Sequence, residues 1–527
     1  MKSLLRLVVV SMLGCFAIQA RTQTSSATIS GHVVDQSNGA VPNAQVVLTN
    51  QQTNVVVTTH TNGSGDFIFP DRQPGTFSIA AKAAGYKELK QVGLVLSASQ
   101  NLSTGTLTLQ VGAVTESVTV SAAITPLQTT SSERSGVLDS TQVDNLSTLG
   151  RDVMGLLQTL PGVYGGGGSS TLGTTGTPTV NGVLNEYNLV TVDGVTANTR
   201  GLSTMDDEIN QDAVQQISLL GSNYQAAYGK TAGANITYVT KSGTNKFHGV
   251  LYYYFRNEDL NANSFFNKFT HSPYIARARY RYNTAGGTLG GPIYWPGHFN
   301  QNKDKLFFFV SFEDDPTITP DGVKSYRIPT QAEIGGDFSQ TYSQGKTTNI
   351  PVNIKIPGQS AASCASTGTP GSGCFPGNKI PLSLIDPQMQ ILQQIIHDNT
   401  LGAQDPTALA SAPKGGPGFY VPNNPAVTSN NYNYQTNNSA HKPVKQLIFR
   451  VDYSPTQSLH MFGRGDLTTV DNTGYASTAN NLPWLISDDY QTKNPNFVYN
   501  IVYTFSPKIV NEFNVGAAGW YENTVYS

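Results

Sequence analysis

Nothing in this 527-residue chain is apolar for long enough to cross a bilayer as a helix. Such a span takes ~20 consecutive apolar residues, and the longest charge-poor apolar run, Leu7 to Ile18, falls short of it. Charge is scarce too: Asp, Glu, Lys and Arg make up 13% of the residues, about half the usual ~25% of soluble domains. With 32 basic against 34 acidic residues and a net charge of −2, no basic stripe offers itself to nucleic acid. None of the eight histidines begins the His-x-x-Glu or His-Glu-x-x-His spacing that sets two zinc ligands on one helix face. A Gly-x-Ser-x-Gly nucleophile turn is missing. Gly229-Lys-Thr231 and Gly345-Lys-Thr347 end like a phosphate loop, but Tyr224 and Gln340 stand where its first glycine belongs. These absences argue against an enzyme, and no cofactor is expected.

Of three cysteines, Cys15 lies in the N-terminal apolar run. Lys2 and Arg6 precede that run and small residues end it, so residues 1–20 read as a cleaved secretory signal, with cleavage after Ala20. Leu13-Gly-Cys15 is near a lipoprotein box, although a cysteine inside an ordinary signal is the plainer reading. Export places Cys364 and Cys374 in an oxidising compartment; in a Gly/Pro/Ser-rich stretch without a nearby histidine they read as a loop disulfide rather than a metal site.

What the chain has in quantity is Gly (51), Tyr (25) and Phe (22), a composition that suits β-structure in a membrane. Residues 27–110 read as a β-sandwich: Thr28–Val34, Ala44–Thr49, Asp66–Phe69 and Thr76–Ile79 are short β-branched or aromatic runs with turn residues between them. From 246 onward longer runs alternate. Seven strands are expected, at Phe247–Arg256, Ala278–Ile293, Lys305–Glu313, Gln446–Tyr453, Leu459–Leu467, Phe497–Phe505 and Val510–Tyr521. In the fourth, Leu447, Phe449, Val451 and Tyr453 would face lipid, and Gln446, Arg450 and Asp452 a wet lumen. The stretch of about 130 residues at 314–444 is too long for an ordinary connection and is expected outside the cell. In it, Asp386-Pro387 opens an expected short helix with Met389, Leu392, Ile395 and Ile396 on one side.

Between sandwich and strands, Asp152 should cap a helix carrying Val153, Leu156, Leu157 and Leu160, and Asn181-Gly182 and Asp193-Gly194 should form tight turns. Asp206, Asp207 and Glu208 form an acidic cluster, read as a solvated loop rather than a cation site.

Several wordings resemble known families. Ile29-Ser-Gly-His-Val-Val-Asp35, Thr61-Asn-Gly-Ser-Gly-Asp-Phe67 and Ala84-Gly-Tyr86 resemble a carboxypeptidase regulatory-like domain. Val192-Asp-Gly-Val195, Asp212–Leu220, Tyr224–Gly229 and Asn235–Asn245 resemble the plug domain of Oar-like TonB-dependent outer-membrane receptors, with Ala227 departing from an expected glutamate. Tyr254–Phe266, Gly287–Ile293 and Asp304–Phe309 resemble landmarks of that barrel. The resemblance implies a plug at 123–245, a barrel from 246, an outer-membrane location and an unidentified extracellular ligand. It also implies a TonB-box-like handle within 114–122, at Glu116, Ser117, Val118, Thr119, Val120 and Ser121, for a periplasmic TonB-type energy-transducing protein. The plainer reading of those residues is a last sandwich strand or a linker. The expected fold is mainly β: a sandwich, an α+β plug and the first strands of an antiparallel transmembrane β-barrel. Because plugged transporters use about 22 strands, the chain is expected to be an N-terminal piece that cannot form a pore alone. A secreted or surface-bound β-sandwich adhesin or carbohydrate-binding protein is the alternative.

Overall fold

The computed structural model describes residues 27–112, 117–121, 132–148, 151–165, 178–198, 209–225, 228–229, 231–263, 265, 268, 277, 279–320, 324–326, 331–343, 350–367, 369–388, 434–436, 439–476, 487–506 and 509–526. The signal segment, Glu116, the acidic cluster at 206–208, Ala227 and the helix expected after Asp386-Pro387, from Met389 on, lie outside the described residues.

Strands β1 (Ala27–Asp35), β2 (Gln45–Asn50), β3 (Val56–His60), β4 (Asp66–Arg72), β5 (Gly75–Lys82), β6 (Glu88–Leu96), β7 (Asn101–Leu109) and β8 (Ser117–Ser121) build the sandwich. One sheet runs β4-β1-β7 and the other β3-β2-β5-β6-β8. Alternation decides which side chains meet: in Asp66-Phe-Ile-Phe69, Phe67 and Phe69 are buried while Ile68 faces solvent. Ile29, Val46, Leu48, Ile79, Leu94, Leu96, Leu102 and Leu109 complete the filling, each worth about 1.5–3 kcal/mol of burial. Gly31 is fixed by this packing, since a Cβ there would lie 2.1 Å from Thr104 Oγ1 and 2.6 Å from the Phe67 ring.

A middle domain follows, with β9 (Arg134–Leu138), β10 (Val163–Tyr164), β11 (Thr179–Val180), β12 (Leu189–Val192), β13 (Val195–Thr196), β14 (Val214–Ser222) and β15 (Asn235–Thr240). Its five-stranded sheet runs β13-β12-β15-β14-β9. Both tight turns are present: Asn181 and Gly182 have φ of 52° and 78°, Asp193 and Gly194 of 47° and 86°, the paired positive values that a type I′ turn needs. The expected helix after Asp152 is instead a 3₁₀ segment, Met154–Thr159, with Met154 N donating to Asp152 Oδ1 at 2.9 Å and Leu160 only partly buried. Pro161-Gly162 stops it before a full α turn sequence can develop. The α-helix lies earlier, at Ser140–Asn145, closed by a capping box between Asp139 and Gln142.

The remaining strands are β16 (His248–Arg256), β17 (Tyr282–Pro292), β18 (Leu306–Pro320), the short β19 (Lys324–Tyr326), β20 (Tyr342–Ser343), β21 (Ile350–Pro351) and β22 (Tyr434–Thr436), then β23 (Ser439–Thr456), β24 (Leu459–Ala476), β25 (Ser487–Ser506), β26 (Ile509–Ala518) and β27 (Tyr521–Tyr526). An antiparallel sheet of 8 strands runs β16-β17-β18-β23-β24-β25-β26, with β27 also on β25. It is open, with β16 and β26 at its ends. The stretch read as one strand, Val510–Tyr521, breaks at Gly519-Trp520, which adds the eighth. Pairing of β18 with β23 continues to Pro320↔Ser439, so the excursion expected at 314–444 spans 321–438. The extra length carries the hairpin beyond what ~9–11 residues need to cross a bilayer.

One face of this sheet is apolar and exposed: Leu251, Tyr253, Phe255, Leu289, Phe312, Phe449, Leu467, Phe497, Tyr499, Phe513 and Val515. The opposite face carries Gln446, Arg450, Asp452, Arg464, Asp466, Asn496 and Asn500, all buried. Alternation in β23 is as expected, but the polar positions meet protein rather than a wet lumen. Among the described residues no helix is long and apolar enough to cross a membrane.

Past β16, Arg281 grips Glu258 with Nη2 at 2.7 Å from Oε1 and Nε at 3.0 Å from Oε2, and these bonds hold the Glu258 carboxyl down to about 2. A depressed carboxylate stabilises the fold above its ordinary pKa and loses that contribution as pH falls through the folded value. Hydrogen exchange at Asn257–Asn261, corrected for intrinsic rates, is expected to quicken between about pH 4.5 and 2. In Glu258→Gln that pH step should vanish. In the excursion, Cys364 and Cys374 are joined as a disulfide with Cα atoms 5.0 Å apart.

Candidate functional site

The polar inner face of the large sheet is where the middle domain sits, and two clusters join them. In the first, the Asp193-Gly194 turn between β12 and β13 aims the Asp193 carboxylate at β23 and β24. Arg450 Nη1 lies 3.3 Å from Oδ1 and Arg464 Nε 3.1 Å from Oδ2. Thr240, at the end of β15, donates its backbone N–H to Oδ1 at 3.0 Å and its hydroxyl to Oδ2 at 2.7 Å. Arg464 Nη2 reaches Val192 O at 3.1 Å and Asn496 Oδ1 at 3.0 Å, while Arg450 Nη2 reaches Asp452 at 2.9 Å and its guanidinium lies 4.3 Å from the Phe462 ring centre. Asp466, on the same face, accepts from Gln446 and Thr468. Asp193, Arg450 and Arg464 are 1%, 3% and 2% exposed. Charges that deep need both pairing and full hydrogen bonding to be tolerated, and this cluster supplies both.

The second cluster surrounds Arg151. Its guanidinium lies 4.9 Å from the Tyr252 ring centre and 4.2 Å from that of Tyr254, pairs with Asp212 and stands 3.8 Å from Glu313. Burial works against its charge, yet Glu313 and Asp212 hold its pKa above the ordinary arginine value. Asn210 donates its backbone N–H to Gln446 Oε1 at 2.7 Å and its amide to Tyr252 Oη at 2.6 Å, and Tyr252 Oη donates to Glu313 at 2.7 Å.

The segment expected to serve as a handle lies elsewhere. Ser117, Val118, Thr119, Val120 and Ser121 form β8, paired in parallel with β6 at the edge of the sandwich. That is the last-strand reading of the segment. The sandwich meets the rest of the chain through Asn245 N to Gln52 O at 3.0 Å, Ser218 Oγ to Ala98 O at 3.4 Å and Arg72 Nη2 to Thr504 Oγ1 at 3.3 Å.

Sequence reading had Arg450 and Asp452 facing inward and Asp193 in a turn, but did not join them. Arg450 and Arg464 are cross-strand partners in β23 and β24, and like charges directly opposite destabilise a ladder. Asp452 and Asp466 on the same face lessen that repulsion within the hairpin, and nothing in the pairing itself points to Asp193. Among the described residues no group of three or more His, Cys, Asp and Glu could hold a metal ion.

Comparison with known proteins identifies two domains. A model described as an outer membrane beta-barrel domain matches residues 239–526, and a carboxypeptidase regulatory-like domain matches 28–110. The TonB-dependent transporter Oar of Myxococcus xanthus is 23% identical over 300 residues, covering 54% of this chain and 26% of that protein. The chain thus spans about a quarter of that relative. Among solved structures, the outer membrane transporter YddB from Escherichia coli has a TM-score of 0.39 at 10% identity, covering 72% of this chain and 38% of that one. The siderophore receptor PirA from Pseudomonas aeruginosa has 0.37 at 11% identity, covering 74% and 41%. With more than half of its length matched by one family model, the chain belongs to the outer-membrane β-barrel family.

Proposed function

We propose that the chain serves a TonB-dependent outer-membrane receptor that takes up an extracellular substrate, with the middle domain as its plug. One observation supports this most: a small domain seated through buried ion pairs on the inner face of a sheet whose outer face is apolar. The exposed aromatic and aliphatic belt suits lipid, and the seated domain would block the path through a completed barrel. The Asp193 and Arg151 clusters are then the contacts that must loosen when the plug is pulled. Substrate would be captured on the outer side, and the energised periplasmic protein would pull from the other. The carboxypeptidase regulatory-like sandwich would face that second side.

The handle reading of 116–121 supplies the test. Val118→Pro removes a backbone donor and fixes φ, which damages strand pairing by the partner. In the intact receptor, uptake is expected to fall at least tenfold at equal surface level. Unchanged uptake would return the segment to a purely structural role.

We also propose that Cys364–Cys374 is an oxidised staple in the exported protein. Closing a loop of about ten residues is worth ~2–3 kcal/mol in the chain-entropy account. Mass spectrometry of unreduced protein should find the two peptides linked, and free thiols at both positions would remove the idea.

A further inference from the structure

We propose that the edge of β6 is a resting berth for the handle, and that the sandwich competes with the energy-transducing protein for it. This rests on the handle reading of the segment.

The berth is built in detail. The chain leaving β7 is steered toward β6 by two backbone bonds, Lys87 N to Gln110 O at 2.8 Å and Gly112 N to Gly85 O at 3.1 Å, around a bridge of Tyr86 with Val111. β8 then lies parallel to β6 in an unbroken register from Glu88↔Ser117 through Leu89↔Val118, Lys90↔Thr119 and Gln91↔Val120 to Val92↔Ser121. Its grip is backbone pairing: Val118 is half-buried, while Thr119 and Val120 are exposed. Parallel ladders are slightly weaker per residue than antiparallel ones, and with the Val118, Thr119 and Val120 side chains so little inserted the strand is suited to exchange. A strand captured by a partner uses the same backbone donors and acceptors. The groups turned toward β6 cannot serve both at once.

Tether lengths fit exchange. Gly112 and Ser117 are separated by residues 113–116, so at ~3.3–3.6 Å per residue the segment can move away by at most about 18 Å on that side. Toward the middle domain, residues 122–131 give about twice that reach. A freed segment therefore stays attached to the sandwich on a short lead and can load β9 through the longer one. While it is paired to β6, a pull would load the sandwich as well, and the sandwich is itself bonded to β14 through Ala98 and Ser218. Departure from β6 directs the force to the middle domain.

The experiment is a reversible lock. Gln91→Cys with Val120→Cys places two thiols on registered neighbours. In detergent-solubilised intact receptor, binding of the purified periplasmic domain of the energy-transducing protein is measured with the pair oxidised and then reduced. Wild type undergoes the same treatment, to account for Cys364–Cys374. Oxidation is expected to weaken binding at least tenfold, with recovery on reduction. Equal binding in both states would mean the segment is gripped in place on β6 and would overturn the proposal. So would failure of the cross-link to form in folded protein, since the register would then not be populated. If Val120→Cys itself weakens binding when reduced, Glu88→Cys with Ser117→Cys gives the same lock at the other end of the ladder. Failure of the handle reading looks different: Val118→Pro would then leave partner binding unchanged, with no lock present.

Discussion

Asp193→Ala is expected to cost about 3–5 kcal/mol, because removing one partner of a buried ion pair leaves charge uncompensated. Arg450 would keep Asp452, but Arg464 would retain only neutral direct partners, the Val192 and Asn496 oxygens. The Thr240 hydroxyl and N–H would lose their acceptor together. Asp193→Asn is the informative companion. Residue 193 has φ of 47°, a conformation asparagine tolerates, so this change removes charge while keeping the turn. It should cost less than alanine and still loosen the middle domain. Thermal unfolding of the intact receptor in detergent measures the loss, and hydrogen exchange at Val192–Ala197 locates it. If both variants matched wild type, the cluster would be decoration and the proposed pulling mechanism would need another latch.

Tyr238→Ala should be about as damaging, at about 3–5 kcal/mol. Tyr238 is 1% exposed in β15, packed in the core of the middle domain beside Met154. Its hydroxyl lies 3.2 Å from Met154 Sδ, and burial raises its pKa well above the ordinary tyrosine value, so it stays neutral. Thioether sulfur is a weak acceptor. Tyr238→Phe should therefore stay within about 1 kcal/mol of wild type, since most of the stabilisation is ring volume rather than the hydroxyl. Chemical denaturation of the three proteins checks the ordering. A Phe variant as unstable as Ala would show that the Oη contact, not packing, dominates.

What was legible from sequence was local. Asn181-Gly182 and Asp193-Gly194 announce their turns because both central positions need positive φ. Gln446 to Tyr453 announces its two faces because side chains in a strand alternate. The segment after Asp152 misled because an apolar spacing suggests a helix without fixing its hydrogen-bond pattern, and Pro161 lies too close for more than a 3₁₀ stretch. The site itself was not legible: Asp193 meets Arg450 and Arg464 across 257 and 271 residues of chain, and no periodicity carries that far. The place of β8 was undecided for a related reason. Alternating small β-branched residues suit any open edge, and only the folded sandwich shows that β6 provides one.

The facing arginines of β23 and β24 also bear on how the protein is made. A hairpin that sets Arg450 opposite Arg464 on its inner face is incomplete as an independent unit: Asp452 answers one guanidinium, and the direct charge partner of the other arrives only with the Asp193 turn. The inner wall is therefore expected to reach its final order only once the Asp193 turn is seated on it. Without the middle domain, this hairpin should be the last part of the wall to become rigid.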